Sequence, residues 1–181
     1  MKKIPTLFKR NPNNMREVLN EPNPDCEWVF AGEGIATRKY DGTCCLIRDN
    51  KLFKRRELKK GEVPPLEFEL ADFDKTTGKS VGWMPVSREV KEDKWHVEAF
   101  NDGMEDGTYE LLGPKVQGNP EKYEQHTLVP HNKAEQFLDV PRNFDGLREW
   151  ILSKDIEGIV FHHPNGQMAK IKKRDFGMRR P

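Results

Sequence analysis

Short apolar stretches broken by turn residues dominate this chain, and they restrict it to a fold built mainly from hairpins. Thr43 to Arg48 and Lys51 to Arg56 flank Asp49-Asn50, a two-residue turn that joins strands only in antiparallel fashion. Gly158 to His162 and Gln167 to Lys172 form a second pair, turned by Pro164-Asn165-Gly166. Trp28-Val29-Phe30, Trp95 to Phe100 and Thr108 to Leu112 read as further strands. Residues 61–82 carry Gly, Pro and charge with little periodicity and read as a long loop. One segment has helical spacing: Phe144, Leu147, Trp150 and Ile151 follow Asn143, a suitable N-cap, and their stripe reads as core packing. The pattern predicts an α+β fold on largely antiparallel sheets, in a single domain over 1–181.

With 181 residues the chain can bury a core, but 35% hydrophobic against 34% charged residues makes that core lean. Ten Phe and four Trp, spread along the chain, give every segment apolar material and exclude disorder. No apolar run approaches the ~20 residues of a membrane span. Met1-Lys2-Lys3-Ile4-Pro5 is not followed by a signal-like stretch, so a reducing, cytoplasmic setting is expected. The three cysteines have no metal-finger spacing. Cys44 and Cys45, adjacent in a strand, point to opposite faces and read as small buried hydrophobes. Net charge is +1, yet Lys51 to Lys60 and Lys170 to Arg180 are strongly basic. A localised polyanion site and a solvated charged face both fit that distribution.

Lys39-Tyr40-Asp41-Gly42 means little alone, because Asp-Gly is a common turn. Its company matters more. Tyr109-Glu110-Leu111-Leu112-Gly113 puts one carboxylate inside an apolar strand, and Glu157-Gly158-Ile159-Val160-Phe161 puts another at the head of one. Alternation sets Lys170 and Lys172 on one face of the strand that follows, with Ile171 on the other. Two lysines on one side of an apolar strand are a natural place for an anion.

In this order the segments resemble the covalent nucleotidyltransferase superfamily of ATP-dependent ligases and capping enzymes. Lys39-Tyr40-Asp41-Gly42-Thr43-Cys44-Cys45, Gly82-Trp83-Met84-Pro85-Val86, Asp93-Lys94-Trp95-His96 and Gly113-Pro114-Lys115-Val116-Gln117-Gly118-Asn119-Pro120 narrow the likeness to the small RNA ligase family of vertebrates, viruses and some bacteria. It runs roughly from Ile35 to Asp175. The resemblance implies an adenylyltransferase domain that seals 5′-phosphate to 3′-hydroxyl RNA ends in repair, with ATP and Mg²⁺ (or Mn²⁺) required. Lys39 would attack the α-phosphorus of ATP and carry AMP. Arg55 would reach the phosphates, and Glu110 would hold the ribose hydroxyls. Glu157 would help place the cation, with Asp41 a weaker candidate. Lys170 and Lys172 would neutralise the α-phosphate, and Tyr123 is the candidate for stacking on adenine. Gly42 would let the backbone turn sharply beside the nucleophile.

Lysine is a poor nucleophile at neutral pH, and nearby cations with desolvation are the means of activating it. RNA and ATP are the expected partners, with no membrane and no obligate protein partner. RNA contacts would come from Lys54 to Lys60 and Lys172 to Arg180. A capping enzyme using GTP or a DNA ligase core is the rival within enzymes, but both normally carry an OB-type domain that this length does not hold. A non-catalytic nucleotide- or RNA-binding relative is the rival outside them. His162-His163 reads as structural or exposed, as do His126 and His131, although the latter two would lie near the nucleotide if the resemblance holds. Trp83 and Trp95 fit core burial better than base stacking.

Overall fold

A computed structural model describes residues 1–180. They fall into two compact units: Met1–Lys3 with Asp41–Lys133, and Ile4–Tyr40 with the residues from Ala134 onward. The chain therefore passes from one unit to the other inside the Lys39–Gly42 segment, after Tyr40. Both units are α+β, and the strands within each sheet pair antiparallel.

The second unit holds β1 (Phe8–Asn11), β2 (Asn14–Pro22), α1 (Glu27–Phe30) and β3 (Ile35–Lys39). After Lys133 it resumes with β10 (Gln136–Phe137), α3 (Phe144–Leu152), β11 (Gly158–His162) and β12 (Met168–Lys172). Its main sheet runs β10-β3-β11-β12, and β1-β2 form a separate hairpin. The predicted hairpin of 158–172 is present, with His162 opposite Met168 and Gly166 in the left-handed region at φ 91°. The predicted helix is present too. Asn143 caps it by accepting from the Gly146 N–H at 2.8 Å, and Leu147 and Ile151 are fully buried. They pack with Leu7, Phe8, Val29, Ile159, Phe161 and Ile171.

Trp28-Val29-Phe30 is helical, not a strand. A three-residue apolar run cannot choose its own conformation. Asn23 and Pro24 choose it, the first accepting from the Asp25 N–H and the second starting the turn Pro24–Cys26 that α1 continues.

The first unit is a six-stranded sheet with α2 (Lys94–Ala99). Its strands are β4 (Thr43–Arg48), β5 (Lys51–Leu58), β6 (Glu69–Phe73), β7 (Ser80–Pro85), β8 (Gly107–Leu112) and β9 (Thr127–Pro130), in the order β6-β7-β5-β4-β8-β9. Asp49 and Asn50 have φ of 52° and 57°, the paired left-handed values of a tight hairpin. Cys45, Ile47, Leu52, Tyr109, Leu111 and Leu128 share one buried face, against which Ala99 and Trp95 pack. Alternation sends Cys44, Thr108 and Glu110 to the other face.

The expected loop over 61–82 contains β6 and the start of β7. These strands are pinned laterally by pairing with each other and with β5, not by their own apolar content. Residues 95–100, read as a strand, are mostly helix. Trp95 and Ala99 lie four apart, on one face of the helix, and both reach the core. Buried Asp93 anchors the start of that helix, accepting from Lys54 Nζ and from the Ser87 N–H. Among the described residues no helix is long and apolar enough to cross a membrane.

Candidate active site

Lys39 is the last residue of β3 and lies opposite Gly158 of β11, which lies in turn opposite Lys172 of β12. The two lysines thus flank a glycine on the central strand. A Cβ at Gly158 would come 2.2 Å from the Ile171 carbonyl oxygen, so this close approach demands glycine. Glu157 precedes it and reaches both neighbours. Lys39 Nζ donates to Glu157 Oε2 at 2.6 Å, and Lys172 Nζ to Oε1 at 2.8 Å. The three side chains keep only 22%, 15% and 13% of their exposure for Lys39, Glu157 and Lys172.

Burial pushes the Glu157 carboxyl upward, but the ammonium groups of Lys39 and Lys172 outweigh it and hold the group below its ordinary range. Lys172 is lowered from the usual lysine value, first by burial and then by the charge of Lys39. The arrangement is braced from behind. The Lys173 N–H donates to the Glu157 carbonyl at 2.8 Å. The fully buried Asp175 accepts from the Lys172 N–H at 2.8 Å and from Arg10 at 2.7 Å. Lys170 sits two residues before Lys172 on the same half-exposed face, while Ala169 and Ile171 are fully buried on the other.

In the first unit Glu110 is 8% exposed at the middle of β8. Its Oε1 accepts from the Gly42 N–H at 3.1 Å, and its Oε2 lies 2.9 Å from His131 Nε2. His131 Nδ1 is 2.9 Å from the Thr108 hydroxyl. Cys44 lies opposite Glu110 and beside the charge of Arg55, so Arg55, Cys44 and Glu110 cross three strands of one face. Burial, with the Glu110 charge behind it, pushes the Cys44 thiol up to about 11. Asp41 donates its backbone N–H to Glu121 at 2.9 Å. Tyr123 closes a turn with Asn119 through two hydrogen bonds of 3.0 Å.

No protein-family model matches the chain. It is similar to proteins named RNA ligase 1. The one from Rattus norvegicus is 25% identical, the alignment covering 90% of this chain and 72% of that protein. The one from Danio rerio is 24% identical over 99% of this chain and 82% of its own length. For Pongo abelii the figures are 27%, 98% and 81%.

Within the second unit the structure joins Lys39, Glu157 and Lys172 directly, and it sets Lys170 on the face of Lys172. Within the first it joins Gly42 to Glu110 and sets the charge of Arg55 beside Cys44. One expectation gains its reason and another changes. Gly42 lies in a bend beside Lys39, as expected, and its φ is not positive. Glycine is needed because a Cβ would stand 2.3 Å from the Leu111 carbonyl oxygen. Cys44 is not core material like Cys45; it is half-buried on the polar face.

The basic segments are also partly spent within the fold. Lys54 is held by Asp93, Lys173 is 3% exposed, and Arg180 pairs with Asp155, whereas Lys59, Lys60, Arg174 and Arg179 stay exposed. His162 and His163 have separate partners, Thr37 and Glu33. Trp83 is 4% exposed, and Trp95 stacks on His126 with centroids 4.4 Å apart. The partnership of His131 with Glu110 had no signal in the sequence beyond the histidine itself.

Proposed function

We propose that this protein is an ATP-dependent RNA ligase acting through a lysyl-AMP intermediate. The observation that carries the reading is Lys39 at the end of β3, held by a carboxylate whose other oxygen is held by Lys172. The likeness to RNA ligase 1 proteins along 90% or more of the chain supports it.

In the first step the deprotonated Lys39 amine attacks the α-phosphorus of ATP. The N–P bond forms, the bond to the β-phosphate oxygen breaks, and pyrophosphate leaves. An oxygen of an RNA 5′-phosphate then displaces Lys39 from AMP, and a 3′-hydroxyl displaces AMP to close the strand. Such transfers depend on in-line placement and charge neutralisation more than on covalent help. Lys170 and Lys172 supply positive charge for the α-phosphate, Arg55 reaches the phosphates, Glu110 accepts from the ribose hydroxyls and Tyr123 stacks on adenine.

The donor chemistry suits a hard divalent cation. Glu157 is an ionised carboxylate, and Mg²⁺ prefers oxygen and keeps several waters, so one such ligand is adequate. Glu157, with Asp41 as a weaker candidate, would hold Mg²⁺ or Mn²⁺, which would offset phosphate charge. Among the described residues no three His, Cys, Asp or Glu side chains gather into a metal cage.

The protein is incubated with labelled ATP or GTP and Mg²⁺, then run on a denaturing gel. A covalent label from ATP that Lys39→Ala abolishes is expected, with sealing of RNA already carrying a 5′-adenylate largely spared. A label that survives Lys39→Ala refutes the nucleophile, and a label from GTP alone favours capping chemistry.

A further inference from the structure

Thr108, Glu110 and His131 form a hydrogen-bonded chain on one face of the six-stranded sheet. Thr108 and Glu110 are two apart on β8 and therefore point the same way. His131 follows β9, whose Pro130 lies opposite Tyr109, and this register sets the imidazole beside both. A carboxylate offers only acceptors, so His131 Nε2 carries the proton and donates to Glu110 Oε2. Nδ1 lies 2.9 Å from the Thr108 hydroxyl, which can donate or accept and so partners the ring in either case. Thr108 thus holds the ring in place, and the ring fixes one carboxylate oxygen while the Gly42 N–H fixes the other. Glu110 is held at both oxygens and still has free lone pairs, since each carboxylate oxygen can accept twice.

We propose that His131 is a positioning residue that holds Glu110 in the orientation needed to accept from a ribose 2′-hydroxyl. Through it, Thr108 and His131 make the site selective for ribonucleoside over 2′-deoxyribonucleoside triphosphates. The proposal rests on the adenylyltransferase reading and on the role that reading gives Glu110. A hydroxyl bonded to a carboxylate is lost outright in the deoxynucleotide, and a bond to a charged group corresponds to about tenfold or more in selectivity. That holds only if the acceptor is already aimed. A carboxylate freed of His131 can turn toward solvent, and the advantage shrinks.

The test is the rate of lysyl-AMP formation from ATP and from 2′-deoxyATP, taken as a ratio of kcat/KM. The wild type is expected to favour ATP about tenfold or more. His131→Ala is expected to bring the ratio to within about threefold of unity, and Thr108→Val to reduce it partway. His131→Gln, whose amide nitrogen can reach the same oxygen, is expected to restore most of it. A purely structural role would lower stability or both rates together and leave the ratio intact.

An unchanged ratio in His131→Ala therefore overturns the proposal. Should that variant fail to fold, an unchanged ratio in Thr108→Val overturns it equally. A wild type that forms lysyl-AMP without preferring ATP refutes the proposal while leaving adenylylation standing. Absence of lysyl-AMP from either nucleotide overturns both.

Discussion

Replacing Glu157 with Gln removes a negative charge that Lys39 and Lys172 share, while keeping the size of the side chain. Two hydrogen bonds of 2.6 and 2.8 Å to a charged acceptor are affected. Bonds of that type contribute about 1.5–3 kcal/mol each, and breaking a fully buried pair costs about 3–5 kcal/mol. Here the three groups retain 13–22% exposure, and the Gln carbonyl can still accept from one lysine. The expected loss is therefore about 2–3 kcal/mol at pH 7, or roughly 5–10 °C in Tm for a chain of this size.

The pH dependence sharpens the test. The Glu157 carboxyl is held below its ordinary value of 4.5 in the folded protein. Its contribution is thus fully present above that ordinary value and disappears as pH falls through the lower folded value. The gap between wild type and Glu157→Gln should be constant from pH 8 to about 5 and then close, because protonated Glu157 resembles Gln. Urea unfolding followed by circular dichroism across this range measures it. A variant as stable as wild type at pH 7, or a gap that widens on acidification, would refute the reasoning.

Gly42→Ala should cost about 1–3 kcal/mol, because the new methyl overlaps the Leu111 carbonyl at 2.3 Å and the Leu112 side chain at 2.6 Å. It should also weaken nucleotide binding by displacing the Gly42 N–H from Glu110, which calorimetric titration with ATP checks. The Cys44 thiol, pushed up to about 11, should alkylate with iodoacetamide at pH 8 about two orders of magnitude more slowly than a free cysteine. Glu110→Gln should speed that labelling by removing a charge that opposes the thiolate; rapid labelling of the unmodified wild type, read by intact mass, would contradict the assignment.

What the sequence determined by itself was local. The Asp49-Asn50 and Pro164-Asn165-Gly166 turns, the helix behind Asn143 and the shared face of Lys170 and Lys172 follow from turn chemistry, capping and strand alternation, all of which act over a few residues. The candidate site residues were legible as residue types in a characteristic order, because Lys39, Glu110 and Glu157 stand out against the segments around them.

Tertiary structure decided everything that depended on distant partners. β6 and β7 exist because β5 offers them an edge, and the helix at Lys94–Ala99 starts at buried Asp93, which Lys54 of β5 holds. The same holds for the chemistry. β3 pairs with β11 across more than a hundred residues, and only that pairing gives Lys39 and Lys172 a common carboxylate. Only the pairing of β8 with β9 turns His131 from an unremarkable histidine into the partner of Glu110. Hydrogen bonds between remote strands leave no trace in local periodicity, and it is those bonds that turn residue types into a site.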